Sequence, residues 1–206
     1  MDSHDVCAVI LAGGQSSRMG SNKALLEIGG RPLISILIDR ILPVTDRILI
    51  SSNDFSSYRF LDFPVIPDQF AGHGPLAGFH SAMTRNICSL YIMLACDLPN
   101  LKTPLLQSLV SLAEGYDAAI PRTLDGLAHP LCAVYRRTCL PCVEQALQRG
   151  ANKVIEVLFE NSLAVRWVGP DEGKFEDADL ANVNTPEDLR NLRDVTGPGS
   201  GPSLNM

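Results

Sequence analysis

A glycine-rich loop directly after the first apolar run is the part of the sequence best suited to hold a phosphate. Gly13 and Gly14 would let backbone N–H groups approach an anion closely. Arg18 could place two N–H groups on a phosphate, and Lys23 adds a compact positive charge. The spacing fits neither GxxxxGK[ST] nor GxGxxG, the two common phosphate motifs. A nucleotide loop and a plain Gly/Ser-rich loop with two surface cations are therefore both open at this point.

Two aspartates follow short apolar runs that predict strands. Asp97 directly follows the run at 90–96, and Asp68 comes after Pro67 and the run at 65–66. Carboxylate oxygens are ligands that Mg²⁺ prefers, so an aspartate beside a phosphate loop could hold that ion. Aspartate is also common in turns and helix caps, and this plainer interpretation applies to both positions.

The composition excludes several classes of protein. The chain has 206 residues, of which 46% are hydrophobic and 19% charged, as in an ordinary globular protein. A net charge of −6 does not favour binding to nucleic acid, and no apolar run is long enough to predict a membrane-spanning helix. The N-terminus lacks the basic start of a secretory signal, so the six cysteines predict reduced thiols and a cytoplasmic protein.

The elements that must position these residues alternate between strands and helices. Apolar runs predict strands at 6–11, 47–52, 65–66, 90–96, 118–120, 131–135 and 163–168. Helices are predicted at 32–41, 75–86, 104–114, 138–149, 153–159 and 186–193. This order predicts an α/β fold with a mostly parallel sheet covered on both faces, which binds ligands beyond the carboxyl ends of its strands. We expect one domain over 1–196 and a disordered Gly/Pro/Ser-rich tail over 197–206.

Five blocks of the sequence, in order, resemble the nucleotidyltransferases that activate small molecules with nucleoside triphosphates. They are LAGGQSSRMGSNK at 11–23, PD at 67–68 with GHGPLAG at 72–78, ACDLP at 95–99, AHPL at 128–131 and NVNTPEDL at 182–189. The blocks cover nearly all of the chain before the tail and are most similar to the molybdenum cofactor guanylyltransferase (MobA) family. The resemblance implies a Rossmann-like three-layer sandwich of the GT-A-like nucleotidyltransferase type.

The same resemblance implies a reaction and a set of residues. GMP would pass from GTP to the molybdopterin form of the molybdenum cofactor, releasing pyrophosphate and leaving a guanine dinucleotide cofactor. The implied nucleotide-binding residues are Leu11, Ala12, Gly13, Gly14, Lys23, Asp68 and Asp97. The implied catalytic residues are Arg18, Lys23 and Asp97, and Asp97 is the implied ligand of the cofactor Mg²⁺.

The nucleotide and the acceptor are the least specific part of this resemblance. The glycine pair in LAGG favours GTP, because the related cytidylyltransferases usually read LAAG at this point. The alternatives are a cytidylyltransferase, a nucleotidyltransferase for another small-molecule phosphate, and a nucleotide-binding protein without turnover. Insertion chaperones or apo-molybdoenzymes are the implied protein partners; nucleic acid and membrane are not expected.

Three polar residues of the later blocks have two open interpretations. The family pattern implies that His129 lies near the acceptor, although a residue at the entry of a strand would look the same. Asn182 and Asn184 could supply oxygen atoms to a metal or a phosphate, or could serve only the turn and helix cap before residue 186.

Overall fold

The computed structural model describes residues 5–13, 22–70, 72–85, 88–183 and 187–188. Within these residues the strands are β1 (Val6–Leu11), β2 (Glu27–Ile28), β3 (Arg31–Pro32), β4 (Ile48–Ser51), β5 (Val65–Ile66), β6 (Leu90–Ala95), β7 (Ala118–Pro121), β8 (Cys132–Arg136) and β9 (Val165–Val168). The helices are α1 (Leu33–Ile41), α2 (Gly74–Arg85), α3 (Thr103–Leu112), α4 (Leu140–Gln148), α5 (Val154–Glu160) and α6 (Pro170–Gly173).

Seven of these strands form one sheet in the order β5-β4-β1-β6-β8-β7-β9. Strand β8 runs antiparallel to β6 and β7, and the other neighbouring pairs are parallel. The expected α/β fold with a mostly parallel sheet is therefore confirmed. Because β8 runs in the opposite direction, it begins at the edge where the parallel strands end, with Cys132 opposite Leu94 of β6.

Helices cover both faces of the sheet and make it the middle of three layers. Strand β1 is buried along its whole length, which explains its uninterrupted apolar sequence VCAVIL. Ala8 and Ile10 pack in the core that includes α1 and α3. Cys7 and Val9 point to the opposite face and pack in the core that includes α2, α4 and α5.

The register of the central strands decides where the site lies. Leu11, the last residue of β1, lies opposite Ser51 of β4 on one side and Ala95 of β6 on the other. Ser51 in turn lies opposite Ile66, the last residue of β5. Four parallel strands thus end at the same level, and the segments that follow them leave the sheet side by side.

Some elements depart from the sequence predictions or lie beyond them. The apolar pattern does not predict the short β2–β3 hairpin, whose turn residues Gly29 and Gly30 have φ angles of 58° and 76°. Of the predicted helix at 186–193 only residues 187–188 are described, and these are helical; the tail at 197–206 lies outside the described residues. No helix in the described part is long and apolar enough to cross a bilayer.

Candidate active site

A cavity of about 210 Å³ lies at the carboxyl edge of the sheet, lined by the last residues of β1, β4 and β6 and by Asp68, which follows β5. Its walls are Leu11, Ala12, Gly13, Asn22, Lys23, Ser51, Asp68, Gly74, Pro75, Ala95, Cys96, Asp97 and Leu131. Six of the residues singled out in the sequence therefore line one cavity: Leu11, Ala12, Gly13, Lys23, Asp68 and Asp97. Gly14, Arg18 and Asn184 lie outside the described residues.

Asp97, just beyond the end of β6, is held by two side chains from distant parts of the chain. Lys23 Nζ lies 3.2 Å from Asp97 Oδ2, and Asn182 Nδ2 donates to Asp97 Oδ1 at 2.8 Å. The Lys23 and Asp97 side chains are 19% and 14% exposed, so the ion pair is partly shielded from water. The two charges of this end of the cavity are thereby fixed in place before any ligand enters.

A buried tyrosine connects the two ends of the glycine-rich loop. Tyr58 is fully buried, and its hydroxyl donates to the carbonyl oxygen of Ala12 at 2.9 Å. Asn22 Nδ2 donates to the same hydroxyl at 2.8 Å, while Asn22 Oδ1 accepts from the backbone N–H of Ala24 at 3.1 Å. These bonds cap the short 3₁₀ helix Lys23–Leu25 and so direct Lys23 toward the cavity.

The opposite end of the cavity contains a half-buried carboxylate with a hydroxyl partner. Ser51 Oγ donates to Asp68 Oδ1 at 3.0 Å, and the backbone N–H of Asp68 donates to Asn53 Oδ1 at 3.1 Å. Burial raises the pKa of Asp68, and the Ser51 hydrogen bond opposes that rise. Gly13 packs beside this pair, because a Cβ there would lie 3.4 Å from the Ser51 carbonyl oxygen.

Ser51→Ala is expected to raise the pKa of Asp68 further, because the hydrogen bond that favours the ionised form is lost. At neutral pH the free energy of unfolding should fall by about 1 kcal/mol. This deficit should disappear as the pH falls through the pKa of Asp68, since the protonated carboxyl carries no charge to stabilise. Carboxyl ¹³C NMR titration together with urea unfolding at several pH values measures both effects.

Ser57→Ala is the matched control for that experiment. Ser57 is half-buried, and its hydroxyl is the largest cause of the low pKa of Asp54, about 2. The control should raise the pKa of Asp54 and leave that of Asp68 unchanged. An unchanged pKa of Asp68 in Ser51→Ala would mean that the hydroxyl does not stabilise this carboxylate.

The first turns of α2 approach β1 and β4 so closely that one position of the helix requires glycine. A Cβ on Gly78 of α2 would overlap Ser51 Oγ and lie 2.9 Å from Leu11 Cδ2. Close packing therefore explains why the last residue of the GHGPLAG block is glycine. Gly74 and Pro75, at the start of the same helix, form part of the cavity wall.

Cys96 lines the cavity but does not suit covalent catalysis. Burial, with the neighbouring charge of Asp97 as a smaller cause, raises the pKa of the Cys96 thiol to about 12. The thiolate is the nucleophilic form of cysteine, so this side chain stays unreactive at neutral pH.

A second cavity of about 280 Å³ adjoins the first and shares Ala95 and Leu131 with it. Its remaining walls are Leu98, Leu127, Ala128, His129, Pro130, Cys132 and Asn182. His129 Nε2 is buried and has no hydrogen-bond partner in the described part of the chain. Burial lowers the pKa of His129, against the opposing charges of Asp125 and Asp177, which favours a neutral imidazole at neutral pH.

Several cavity residues were not predicted from the sequence. Ser51 is the second-to-last residue of the strand predicted at 47–52 and the last residue of β4, so the rule that ligands bind at strand ends could have drawn attention to it. Asn22 directly precedes Lys23, but nothing in its sequence neighbourhood indicates the contact with Tyr58. The described residues contain no group of three or more His, Cys, Asp or Glu side chains that could hold a metal, so Asp97 offers a single carboxylate.

Comparisons with known proteins assign the chain to the nucleotidyltransferases. The structure is similar to that of molybdopterin-guanine dinucleotide biosynthesis protein A from Archaeoglobus fulgidus, with a TM-score of 0.77 and 26% identity over 92% of this chain and 97% of that chain. The family model described as "MobA-like NTP transferase domain" matches residues 8–164. The chain therefore belongs to the MobA-like NTP transferase family.

Curated relatives agree with this assignment. A "probable molybdenum cofactor guanylyltransferase" of Carboxydothermus hydrogenoformans is 36% identical over 91% of this chain and 95% of that protein. A protein of the same name from Pelotomaculum thermopropionicum is 37% identical over 90% of each chain. The match extends past residue 164 toward the C-terminal part of the chain, where Asn182 lies.

Proposed function

We propose that this protein transfers GMP from GTP to the molybdopterin form of the molybdenum cofactor and releases pyrophosphate. The names of the curated relatives support the nucleotide and the acceptor. The observation on which the proposal depends is the Lys23–Asp97 pair, held beside the end of β1 in a cavity that Leu11, Ala12 and Gly13 also line. A lysine next to an aspartate suits a ligand that carries both phosphates and a bound cation, because the lysine can balance the phosphates and the aspartate can hold the cation.

The reaction needs little covalent help from the protein. An oxygen of the acceptor's phosphate attacks the α-phosphorus of GTP and forms a new P–O–P bond. The bond between the α-phosphorus and the oxygen that bridges the α- and β-phosphates breaks, and pyrophosphate leaves with the electron pair of that bond. Because the attacking phosphate is already ionised, the protein must mainly align the two ligands and balance their negative charge.

The proposed nucleotide contacts follow the length of the first cavity. Leu11, Ala12 and Gly13 would contact the nucleotide through their backbone, as would Gly14, which lies outside the described residues. Lys23, together with Arg18, would balance the charge of the phosphates and of the leaving pyrophosphate. Asp68, at the opposite end from Lys23, would then hold the nucleoside.

Asp97 is the proposed protein ligand of Mg²⁺. The single carboxylate fits this ion, because Mg²⁺ usually binds one or two carboxylates and takes its other ligands from phosphates and water. When bound, the ion would spread the negative charge of the triphosphate. Each oxygen of Asp97 accepts one described hydrogen bond from a side chain, and a carboxylate oxygen has a second lone pair with which it can bind the ion.

The second cavity is the proposed site of the acceptor. It adjoins the first across Ala95 and Leu131, so a ligand in it would meet the nucleotide at Asp97. Its walls are largely apolar, with His129 and Asn182 as polar groups that could orient a phosphate or a pterin. Transfer of the product to insertion chaperones or apo-molybdoenzymes and a cytoplasmic location are further parts of the proposal.

His129→Gln is expected to raise the KM for the acceptor about tenfold, because a buried imidazole nitrogen with no hydrogen-bond partner among the described residues is available to a ligand in the second cavity. The affinity for GTP and the unfolding temperature should change little. Initial rates at varied acceptor concentration measure the acceptor KM, and a separate GTP binding titration shows whether the affinity for GTP is unchanged. An unchanged acceptor KM would place the acceptor elsewhere.

The decisive experiment measures pyrophosphate release with Mg²⁺ and purified molybdopterin-type cofactor as acceptor, comparing GTP, CTP, ATP and UTP. Release with GTP that requires the acceptor is the expected result. Release with CTP would make the protein a cytidylyltransferase. Absence of release with all four, combined with tight GTP binding in a titration, would favour a nucleotide-binding protein without turnover.

A further inference from the structure

Asn182 connects the two cavities. The residue lines the second cavity, and its Nδ2 donates to the Asp97 carboxylate of the first cavity at 2.8 Å. The next residue, Val183, donates its backbone N–H to the Asp97 carbonyl oxygen at 2.9 Å. One short segment therefore contacts both the side chain and the backbone of the residue that we assign to the metal.

The segment that carries Asn182 is anchored without its side chain. Leu180 and Val183, on either side, are 0% and 1% exposed. Lys102 Nζ forms an ion pair with Asp179 Oδ1 at 2.9 Å, and Asn100 Nδ2 donates to the Ala178 carbonyl oxygen at 3.2 Å. Loss of the Asn182 amide should therefore leave the path of the backbone intact.

The amide of Asn182 has hydrogen-bonding capacity beyond its contact with Asp97. A carboxamide carries two N–H donors and an oxygen acceptor, and the described hydrogen bonds of this side chain use one donor. The residue is exposed, so a ligand in the second cavity can reach the amide. A bond to such a ligand would fix the rotation of the amide and, with it, the orientation of the Asp97 carboxylate.

We propose that Asn182 is a positioning residue that couples occupancy of the second cavity to Asp97, so that the acceptor and the Mg²⁺-bound nucleotide each strengthen the binding of the other. This inference rests on the proposed function, which places the acceptor and the nucleotide in these two cavities. Because coupling between two sites is reciprocal, it can be measured from either ligand.

The test uses the full chain and a GTP analogue that cannot react. The dissociation constant of guanosine 5′-(α,β-methylene)triphosphate with Mg²⁺ is measured with and without saturating molybdopterin under anaerobic conditions. We expect the acceptor to tighten analogue binding about tenfold in the wild-type protein. In Asn182→Ala the ratio of the dissociation constant without the acceptor to the one with it should fall to about one. Asn182→Asp, which keeps the size and removes the donor, should do the same.

Asn100→Ala is the matched control, because it removes an amide hydrogen bond to the same segment without touching Asp97. It should keep the tenfold ratio, and unfolding temperatures should show that all three variants fold.

A wild-type ratio of one, or a tenfold ratio retained in Asn182→Ala, would overturn the coupling. Pyrophosphate release by the wild-type protein is measured in parallel with GTP itself. Its absence would contradict the proposed reaction, whereas the binding ratios test the coupling separately.

Discussion

Asp97→Asn is expected to lower kcat by roughly 10³-fold or more while the protein stays folded. The substitution removes the negative charge that we assign to Mg²⁺ and changes the side-chain volume very little. It also leaves one amide oxygen for two donors, Lys23 Nζ and Asn182 Nδ2, which both bind carboxylate oxygens in the present structure. One of these donors will then face an N–H group. Steady-state rates at several Mg²⁺ concentrations measure the loss.

The folded state should lose only about 1 kcal/mol in this variant, because the affected contacts are local and the backbone bond from Val183 remains. Asp39→Asn is the matched control: Asp39 lies on α1, is 53% exposed, and pairs with Arg31 at the surface. The control should keep full activity. Normal Mg²⁺-dependent turnover in Asp97→Asn would mean that the metal is held by other residues.

Gly78→Ala should destabilise the protein by about 2 kcal/mol, because the added methyl overlaps Ser51 Oγ and approaches Leu11 Cδ2. For a chain of this length the unfolding temperature should fall by roughly 4–8 °C. A loss of stability would be informative, because replacing glycine by alanine in a helix interior normally stabilises the protein by up to about 1 kcal/mol. To relieve the overlap, Ser51 must turn away from Asp68, so nucleotide affinity should fall as well.

Two further variants test that explanation. In the double variant Ser51→Ala/Gly78→Ala the overlapping hydroxyl is absent, so the loss of stability should be smaller than the sum of the two single losses. Gly169→Ala is the control: φ is −79° at this position, and a Cβ would meet no atom within 4 Å. Additive losses in the double variant would show that the Ser51 hydroxyl is not the obstacle.

The close approach of α2 to β1 and β4 also explains why the cavity has two chemically different ends. Gly78 lets the helix press against Leu11 and Ser51, which leaves Ser51 Oγ directed at Asp68. Lys23 is directed at Asp97 by a separate set of bonds through Asn22 and Tyr58. The nucleoside end and the phosphate end that we propose are thus supported by different parts of the structure.

The six cysteines contribute to the interior and not to crosslinks. All are free in the structure, and Cys7, Cys88, Cys132 and Cys139 are buried. Burial raises the pKa of the Cys132 and Cys139 thiols to about 12, so these groups behave as small apolar side chains.

Features that depend on neighbouring residues could be predicted from the amino-acid sequence alone. Apolar runs predicted β1 and β6, and the residues that follow strands drew attention to the glycine loop, Asp68 and Asp97. The resemblance of five blocks, in order, to a known family predicted the family. These signals are local, because strand propensity, turns and glycine-rich loops depend on residues close together in the chain.

Which of these residues contact one another depends on the three-dimensional packing of the chain. Asn182 contacts Asp97 across 85 positions of sequence, and Tyr58 reaches Ala12 across 46. The reversed strand β8, the second cavity beside it, and the need for glycine at position 78 depend on how strands and helices pack. A pattern read along the chain contains no distances between such remote residues. Packing and strand register set those distances, and they bring Lys23, Asp97 and Asn182 to one point.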